Sequence, residues 1–571
     1  MSGNVTGIEG TSKEGVTITV QNLENNTSRT AVTDANGNYR IANLEPGSYE
    51  INAKLTGFKT VSWPIALTVG GTLTADILLQ VEGTETQTNQ SPRENLLEPT
   101  QVSVSRVINA QSINSLPNSG RNFVDFVKLS SAVRLGRENT GGGIYKEPDT
   151  GIGVAAAPRL SFGGQPELHT MIQVDGADAV QSVTGLPHAT PSQEAAREFR
   201  IINNTYLAEY GRALGGFVNI VTKSGGSKYS GQAYYFGTNN ALNARSILNT
   251  PQANVLRQNQ FGATFGGPLK KDQTFFFTSF EGQRRAESNR FAQFVLDNLS
   301  GINAVRTRYG LAPESASQLR SNDYSQGLAR VDHRFNDNHL MSARYYAVDS
   351  TTINFLGGGG RGAATSSTSR NNFVNDQSLV LTETSVFTSS LVNEARFSWS
   401  RRRFDFVPNH KEPVMGIANL LIMGKSSSDM DYYLENQFQF ADSLQYLTGN
   451  HQMKFGADAI IVRDTTRFDY WFPGNITFSN MSGLLNFQPT SLAWEVLKGQ
   501  PHPGFDVSWN SSLPRGYDSL TTFDVNHKHF GAFAQDQWRA RQNLTVTAGL
   551  RYDFDAYPNQ YIQRKDLNNF Q

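Results

Sequence analysis

From Tyr229 onward the chain reads as extended segments joined alternately by tight turns and long connections, and this limits its possible folds more than any other feature. About eleven strands can be counted between residues 229 and 556. The short joins are Pro268 to Gln273, Asn336 to Asn338, Phe387 to Ser390, Thr448 to Asn450 and Arg539 to Asn543. The long ones span roughly 238–257, 285–324, 350–371, 403–437 and 464–527. Within the strands, apolar and polar residues alternate with period two. Leu544, Val546, Ala548, Leu550, Tyr552 and Phe554 share one face, against Thr545, Thr547, Gly549, Arg551 and Asp553. Met453, Phe455, Ala457, Ala459 and Ile461 oppose Gln452, Lys454, Gly456 and Asp458, and Ala329, Val331 and Phe335 oppose Arg330, Asp332 and Arg334.

Alternation alone also fits a soluble sandwich with one face in water. The connections discriminate. Tight turns alternating with long loops are the rule for transmembrane barrels, short on the periplasmic side and long outside, and loops of this length are uncommon in compact domains. Phe275, Phe276, Phe277, Trp399 and Trp538 fall near expected strand ends, as an aromatic girdle requires. The alternative is a large secreted β-protein.

Composition narrows the function. Lys+Arg and Asp+Glu are both 50, so no net field points to nucleic acid or an acidic substrate. The 571 residues include no cysteine, which removes disulfides, thiolate metal sites and cysteine nucleophiles together. No stretch approaches the roughly 18 apolar residues of a membrane helix. The first residues, MSGNVTGIEG, lack the basic and apolar regions of an export signal. HExxH, Walker, GxSxG and strand-linked GxGxxG motifs are absent, so neither a catalytic residue nor a cofactor is expected. His527 and His529 could share a metal, but without a third ligand nearby exposed loop histidines are the better reading, and no metal is expected.

Ahead of the strand-rich region lie three segments. Residues 3–81 read as a β-sandwich, with alternation in Val16–Val20 and Tyr49–Ala53 and a hairpin signal at Asn36-Gly37 between Ala31–Thr33 and Tyr39–Ile41. Asp34, Asn36 and Asn38 imitate the start of a calcium loop, but the glycine is misplaced, and a turn is the better reading. Residues 82–100 lose periodicity and read as a linker. In 101–226, Ser115 to Leu129 reads as a turn and an amphipathic helix with Phe123, Phe126 and Val127 facing a core. Pro191 and Ser192 are expected to open a helix carrying Glu194 and Glu198. Gly211, Gly215 and Gly216 permit tight backbone approach before a strand at Phe217–Thr222. Asp175 before Gly176 closes a turn.

Several strings carry a family resemblance. TDANGNYRIANLEPGSYEINAKLTGF resembles the carboxypeptidase-regulatory-like domains, which have a seven-stranded immunoglobulin-like fold. SLPNSGRNFVDFVKL, the Val-Asp-Gly ending at 174–176, and PSQEAAREFRIINNTYLAEYGRALGG resemble the plug of TonB-dependent outer-membrane receptors of the Oar-like type. QFGATFGGPLKKDQTFFFTSFEGQR, RVDHRF, HQMKFGAD and FGAFAQDQWRARQNLTVTAGLRYDF are similar to that family's wall strands.

The resemblance implies a mainly β protein. It would hold an immunoglobulin-like sandwich at 3–81, a linker and TonB-contact segment at 82–100, an α/β plug at 101–226, and from 227 to 571 the first half of a transmembrane β-barrel. Plugged outer-membrane transporters have about 22 strands, and single-chain bacterial barrels have an even number, so about eleven implies a gene that continues past Gln571 and supplies a signal peptide before Met1. Asp175, Gly176, Gly211, Gly215, Gly216 and Asn219 match the plug motif. The implied location is the outer membrane of a Gram-negative bacterium, with the amino-terminal domain and plug start on the periplasmic side. The implied partners are the TonB–ExbB–ExbD energy complex, outer-membrane lipid with lipopolysaccharide, and an extracellular glycan, peptide or siderophore. Tyr432, Tyr433, Tyr470, Trp471 and Phe472 suit such a ligand, or equally pack the interface and loop cores. Arg401-Arg402-Arg403 at the outer end of a strand suits lipopolysaccharide phosphate or, preferably, a solvated rim. The function implied is energised import, not catalysis. An adhesin or protein-export component on the same barrel and a secreted glycan-binding protein are the alternatives.

Overall fold

The computed structural model describes residues 1–41, 44, 47–67, 73, 75–81, 104–116, 121, 124–127, 129–130, 133–135, 160–166, 169–182, 187–203, 207–242, 255–356, 363–388, 390–410, 412–425, 432–467, 475–493, 522–541 and 544–557. Tyr470, Trp471, Phe472, Phe123 and the whole of the 82–100 linker lie outside them.

The first 81 residues fold as two small sheets around one core. Ser2–Gly7 lies between Asn38–Arg40 and Ile77–Leu79, while Thr17–Asn22 joins Ser28–Val32, Gly47–Lys54 and Val61–Leu67. Val5, Ile18, Val20, Tyr39, Ile51 and Leu79 fill the space between. The hairpin expected at Asn36-Gly37 is not formed, because the strands on either side belong to different sheets. The Asp34 carboxylate accepts the backbone N–H of Asn36 (2.9 Å) and Asn38 (2.8 Å), and Gly37 takes φ +74°, so this turn carries the chain across the sandwich.

The inner module, residues 104–222, is a five-stranded sheet in the order Ala177–Asp178, Thr170–Val174, Gly216–Thr222, Ala196–Asn203, Val104–Ile108. Its core contains Ile113, Phe126, Val127, Phe162, Phe199, Phe217 and Val218. The helix expected after Pro191 is a single 3-10 turn, Gln193–Ala195, followed by the strand Ala196–Asn203. Two partner strands, Gly216–Thr222 and Val104–Ile108, bond to this segment. Its Phe-Arg-Ile-Ile run suits a central strand, and that pairing overrides the cap-like signal at Ser192.

The remainder forms an eleven-stranded antiparallel sheet, the wall, in which sequence neighbours are always paired. Its strands are Ser230–Asn239, Leu256–Lys270, Thr274–Ser288, Leu319–Asn336, His339–Leu356, Ser369–Thr388, Leu391–Pro408, Tyr432–Thr448, His451–Arg467, Thr522–Arg541 and Leu544–Ala556. The tight joins have two or three residues. Several strands reach 17 to 20 residues, far beyond the ~9–11 that cross a bilayer, so they run well into stretches expected to be loops. The outward pattern turns polar above Trp399 while backbone pairing continues, which is why the loops looked longer in sequence. Trp399 itself lies mid-strand, paired with Leu379 and Phe438.

The polarity of the wall is inverted. Phe440, Phe455, Leu550, Tyr552 and Phe554 are exposed on its outer face, whereas Asp332, Arg344, Asp376, Arg402, Glu435 and Gln439 are buried on its inner face. A soluble sandwich would do the opposite; an apolar exterior around a polar interior is the arrangement of a transmembrane barrel. Among the described residues no helix is long and apolar enough to cross a membrane, which says nothing about strands.

The long connections fold on one another. Ala363–Ala364, Leu421–Met423, Val414–Ile417, Asn475–Phe478 and Ser491–Ala493 make a second five-stranded sheet. With the helices Gln293–Asp297, Leu299–Arg308 and Met481–Leu485 it encloses a core of Val295, Ile302, Met415, Met423, Phe478 and Leu484. This cap is built from the connections at the wall's long-loop end.

Candidate functional site: the seam between the inner module and the wall

Residues on alternate positions of a wall strand point inward, and these positions meet the inner module along a polar seam. At its centre is Asp175, in the left-handed region (φ +51°) at the turn that ends Thr170–Val174. Its carboxylate accepts the backbone N–H and hydroxyl of Thr222, both at 2.9 Å. Two wall arginines reach the same carboxylate, Arg344 at 3.0 Å and Arg330 at 3.5 Å. Arg330 is also held by Asp332 at 2.9 Å. The residue expected to close a turn therefore also ties the inner sheet to two wall strands.

The motif glycines mark where wall side chains touch backbone. A Cβ on Gly176 would fall 2.4 Å from the Arg396 guanidinium carbon, and one on Gly211 would fall 2.3 Å from that of Arg551. Arg396 donates to the Gly176 carbonyl at 2.6 Å. Gly216 instead serves the module's interior, with the Phe162 ring where its Cβ would stand, and Gly215 donates its N–H to the His169 carbonyl at 3.0 Å. Asn219 lines a polar cavity of about 290 Å³ between module and wall, together with Gln173, Asp178, Lys454, Asp458 and Arg551. Lys454 pairs with Glu209, and Arg551 donates to Asp458 at 2.6 Å. The lumen charges read from the alternation thus have partners.

Higher on the wall, sequence reasoning missed a cluster. His188 of the inner module is buried between two wall carboxylates, Asp376 Oδ1 at 3.2 Å and Glu435 Oε1 at 3.3 Å. Burial opposes its charge, but Asp376 and Glu435 prevail and raise its pKa to about 9. The Asp376 carboxylate also accepts Ala189 N–H at 2.8 Å, Glu435 accepts Ser182 N–H at 3.0 Å, and Arg402 donates to the Pro187 carbonyl. Arg402 therefore faces inward and is not part of an exposed triplet; Arg401 and Arg403 face outward, with Arg403 bonded to Asp405 at 2.8 Å. The signal for the cluster was strand parity in Leu391–Pro408 and Ser369–Thr388, which puts Arg402 and Asp376 opposite each other.

Tyr432 begins a wall strand, half-buried, with the Arg403 guanidinium 5.8 Å from its ring centre. Tyr433 is fully buried, donates its hydroxyl to Glu435 at 2.7 Å, and packs against Phe404. His527 and His529, expected in an exposed loop, are buried on wall strand ten, with His529 Nδ1 2.9 Å from Asp555. The pairing of Thr522–Arg541 with both neighbours extends beyond the join assumed from sequence. Among the described residues no group of three or more His, Cys, Asp or Glu side chains could hold a metal ion.

An inside-out antiparallel wall packed around a polar-seamed module defines a class of membrane barrel. Residues 221–301 and 307–571 match the outer membrane beta barrel domain family, and the chain belongs to it; its location is the outer membrane of a Gram-negative cell. Residues 1–80 match the carboxypeptidase regulatory-like domain. The chain is homologous to the TonB-dependent transporter Oar of Myxococcus xanthus, with 25% identity over 355 residues, or 60% of this chain and 30% of that protein. The chain thus matches less than a third of this curated relative's length. Among solved structures, the outer membrane transporter YddB from Escherichia coli is similar, with a TM-score of 0.53 at 13% identity over 80% of this chain and 57% of that one. A ferric enterobactin receptor mutant from Pseudomonas aeruginosa, in complex with enterobactin, gives 0.52 at 13% identity over 80% and 60%. At such identities the likeness concerns the fold.

Proposed function

We propose that the protein is a TonB-dependent receptor that binds an extracellular ligand and imports it, and that it is not an enzyme. In this reading residues 101–226 are the plug, 227–571 the barrel wall, 3–81 a periplasmic domain and 82–100 the segment pulled by the TonB–ExbB–ExbD complex. One observation carries the reading: beside an apolar patch at Ala189 and Ala195, the inner module meets the wall through charge pairs and a polar cavity. A polar contact can exchange its partners for water as it moves, whereas a dry one must expose apolar surface.

The ligand class is a glycan, peptide or siderophore. Tyr470, Trp471 and Phe472 would contact it, with Tyr433 on the inner face of the wall below, whereas Tyr432 shares the outer face with Arg403 and would not. Arg401 and Arg403 on the outer face, directly above Trp399, would meet lipopolysaccharide phosphate. Deleting 82–100 from the full-length protein should leave ligand binding intact and stop uptake. Uptake that survives the deletion would favour the adhesin or export reading of the same barrel.

A further inference from the structure

The turn at residues 22–27 of the amino-terminal module packs on the peptide that joins the inner module to the first wall strand. This turn is preformed: Asn22 Oδ1 accepts the N–H groups of Glu24 (2.8 Å) and Asn25 (3.2 Å), and Asn26 takes φ +58°. The Glu24 carbonyl accepts the Ser227 N–H at 2.8 Å and the Ser227 hydroxyl at 3.1 Å. Its carboxylate meets Arg197, at the start of the strand Ala196–Asn203, at 2.8 Å.

Two glycines allow this approach. A Cβ on Gly226 would lie 2.7 Å from the Glu24 carbonyl oxygen, and one on Gly47 would lie 2.7 Å from the Arg197 guanidinium. On the opposite side the joining peptide is pressed against the wall, where a Cβ on Gly225 would fall 2.2 Å from the Phe276 carbonyl oxygen. Charge fits as well. Burial, and after it the neighbouring Arg197, hold the Lys223 ammonium below its usual range, so this corner of the inner module carries two cations. Glu24 supplies an anion.

Chain topology gives the contact a consequence. The amino-terminal module is tethered through residues 82–103 to Val104–Ile108, an edge strand of the inner sheet. Through Glu24 it also holds the exit of the last strand, Gly216–Thr222. Both ends of the inner module are therefore fastened to one folded body, and a pull on 82–100 loads that body too. We propose that the amino-terminal module is a clamp, which keeps the inner module seated while docked on Arg197 and Ser227 and must undock before the inner module can move. This rests on the plug reading above. Glu24 contributes one partly exposed ion pair and two hydrogen bonds to its carbonyl, each weak alone. The tether keeps the released module at high local concentration, so docking is reversible.

The test is a Glu24→Cys/Ser227→Cys pair in the full-length protein, with any cysteine outside these 571 residues replaced by serine, since the 571 themselves hold none. The probe is potassium chloride conductance across planar bilayers in dilute urea. The oxidised protein should open at least about tenfold less often than its own reduced form, a factor equal to roughly 1.4 kcal/mol. Glu24→Arg, which sets like charges together, should open more often than wild type with unchanged heat-modifiable migration of the barrel. Failure of the disulfide to form in the folded protein, or equal opening of the oxidised and reduced forms, overturns the clamp. If those forms open equally while a protein lacking 101–226 conducts, the clamp alone fails. If the protein lacking 101–226 stays closed, the plug reading fails with it.

Discussion

Replacing Asp175 should loosen the inner module within the wall, and the structure sets the scale. Asp175→Ala removes the carboxylate that faces Arg344 at 3.0 Å and the acceptor for both Thr222 donors. Arg330 keeps Asp332, but Arg344 is 3% exposed and retains only the Ser378 hydroxyl at 2.8 Å and a longer contact to the Val174 carbonyl. Breaking a buried ion pair from one side costs about 3–5 kcal/mol. Alanine in the left-handed region adds roughly 1 kcal/mol, which asparagine largely avoids. Asp175→Asn also keeps an acceptor for Thr222, so it should lose about half as much, roughly 2 kcal/mol. Limited proteolysis of membrane-embedded protein, scored by cleavage within 101–226, should rank the three forms Ala, Asn, wild type from most to least sensitive. Equal sensitivity of Asp175→Ala and wild type would refute the assignment of Asp175 as the tie between inner sheet and wall.

His188 makes the seating pH-dependent. Its pKa is raised to about 9, so its contribution is complete below the ordinary histidine value and is lost as pH rises through about 9; the loss approaches ~3 kcal/mol. The same proteolysis run from pH 6 to 10 should show increasing cleavage, and His188→Gln should flatten the profile. Gly216→Val puts side-chain carbon where the Phe162 ring lies, and should overpack the inner module by about 1–3 kcal/mol without affecting barrel insertion, as followed by heat-modifiable migration. Arg306→Ala strips the buried Glu314 (3.1 Å) of its cation and leaves the half-buried Glu412 with His410 at 3.5 Å, so protease added to whole cells should cut the cap while the wall stays intact. Deleting 468–521, the connection left once the true strand ends are known, should abolish ligand binding without preventing assembly.

The sequence carried the wall better than the seam. Period-two patterning in Leu544–Phe554 and Gln452–Ile461 identified both faces, because alternation is a local property of a strand. It could not tell which face lies outside, and the inversion appears only when Leu550 and Tyr552 are seen exposed and Arg402 buried. Asp175 and the glycines stand out in the sequence, but their wall contacts do not: Arg396 and Arg551, far along the chain, explain why Gly176 and Gly211 carry no side chain. Strand parity turns Asp376 and Arg402 inward, but His188 and Glu435 come from other segments, and nothing local brings them together. The segment after Pro191 was misread because cap-like residues precede it, while the strand pairing that overrides them lies elsewhere in the chain.

The central claim is that residues 101–226 occlude a pore formed by the wall. The full-length protein lacking 101–226, reconstituted in planar bilayers in potassium chloride, tests it most directly. A steady conductance that the intact protein lacks is the predicted result. A correctly inserted, heat-modifiable barrel that remains electrically closed without those residues would contradict it.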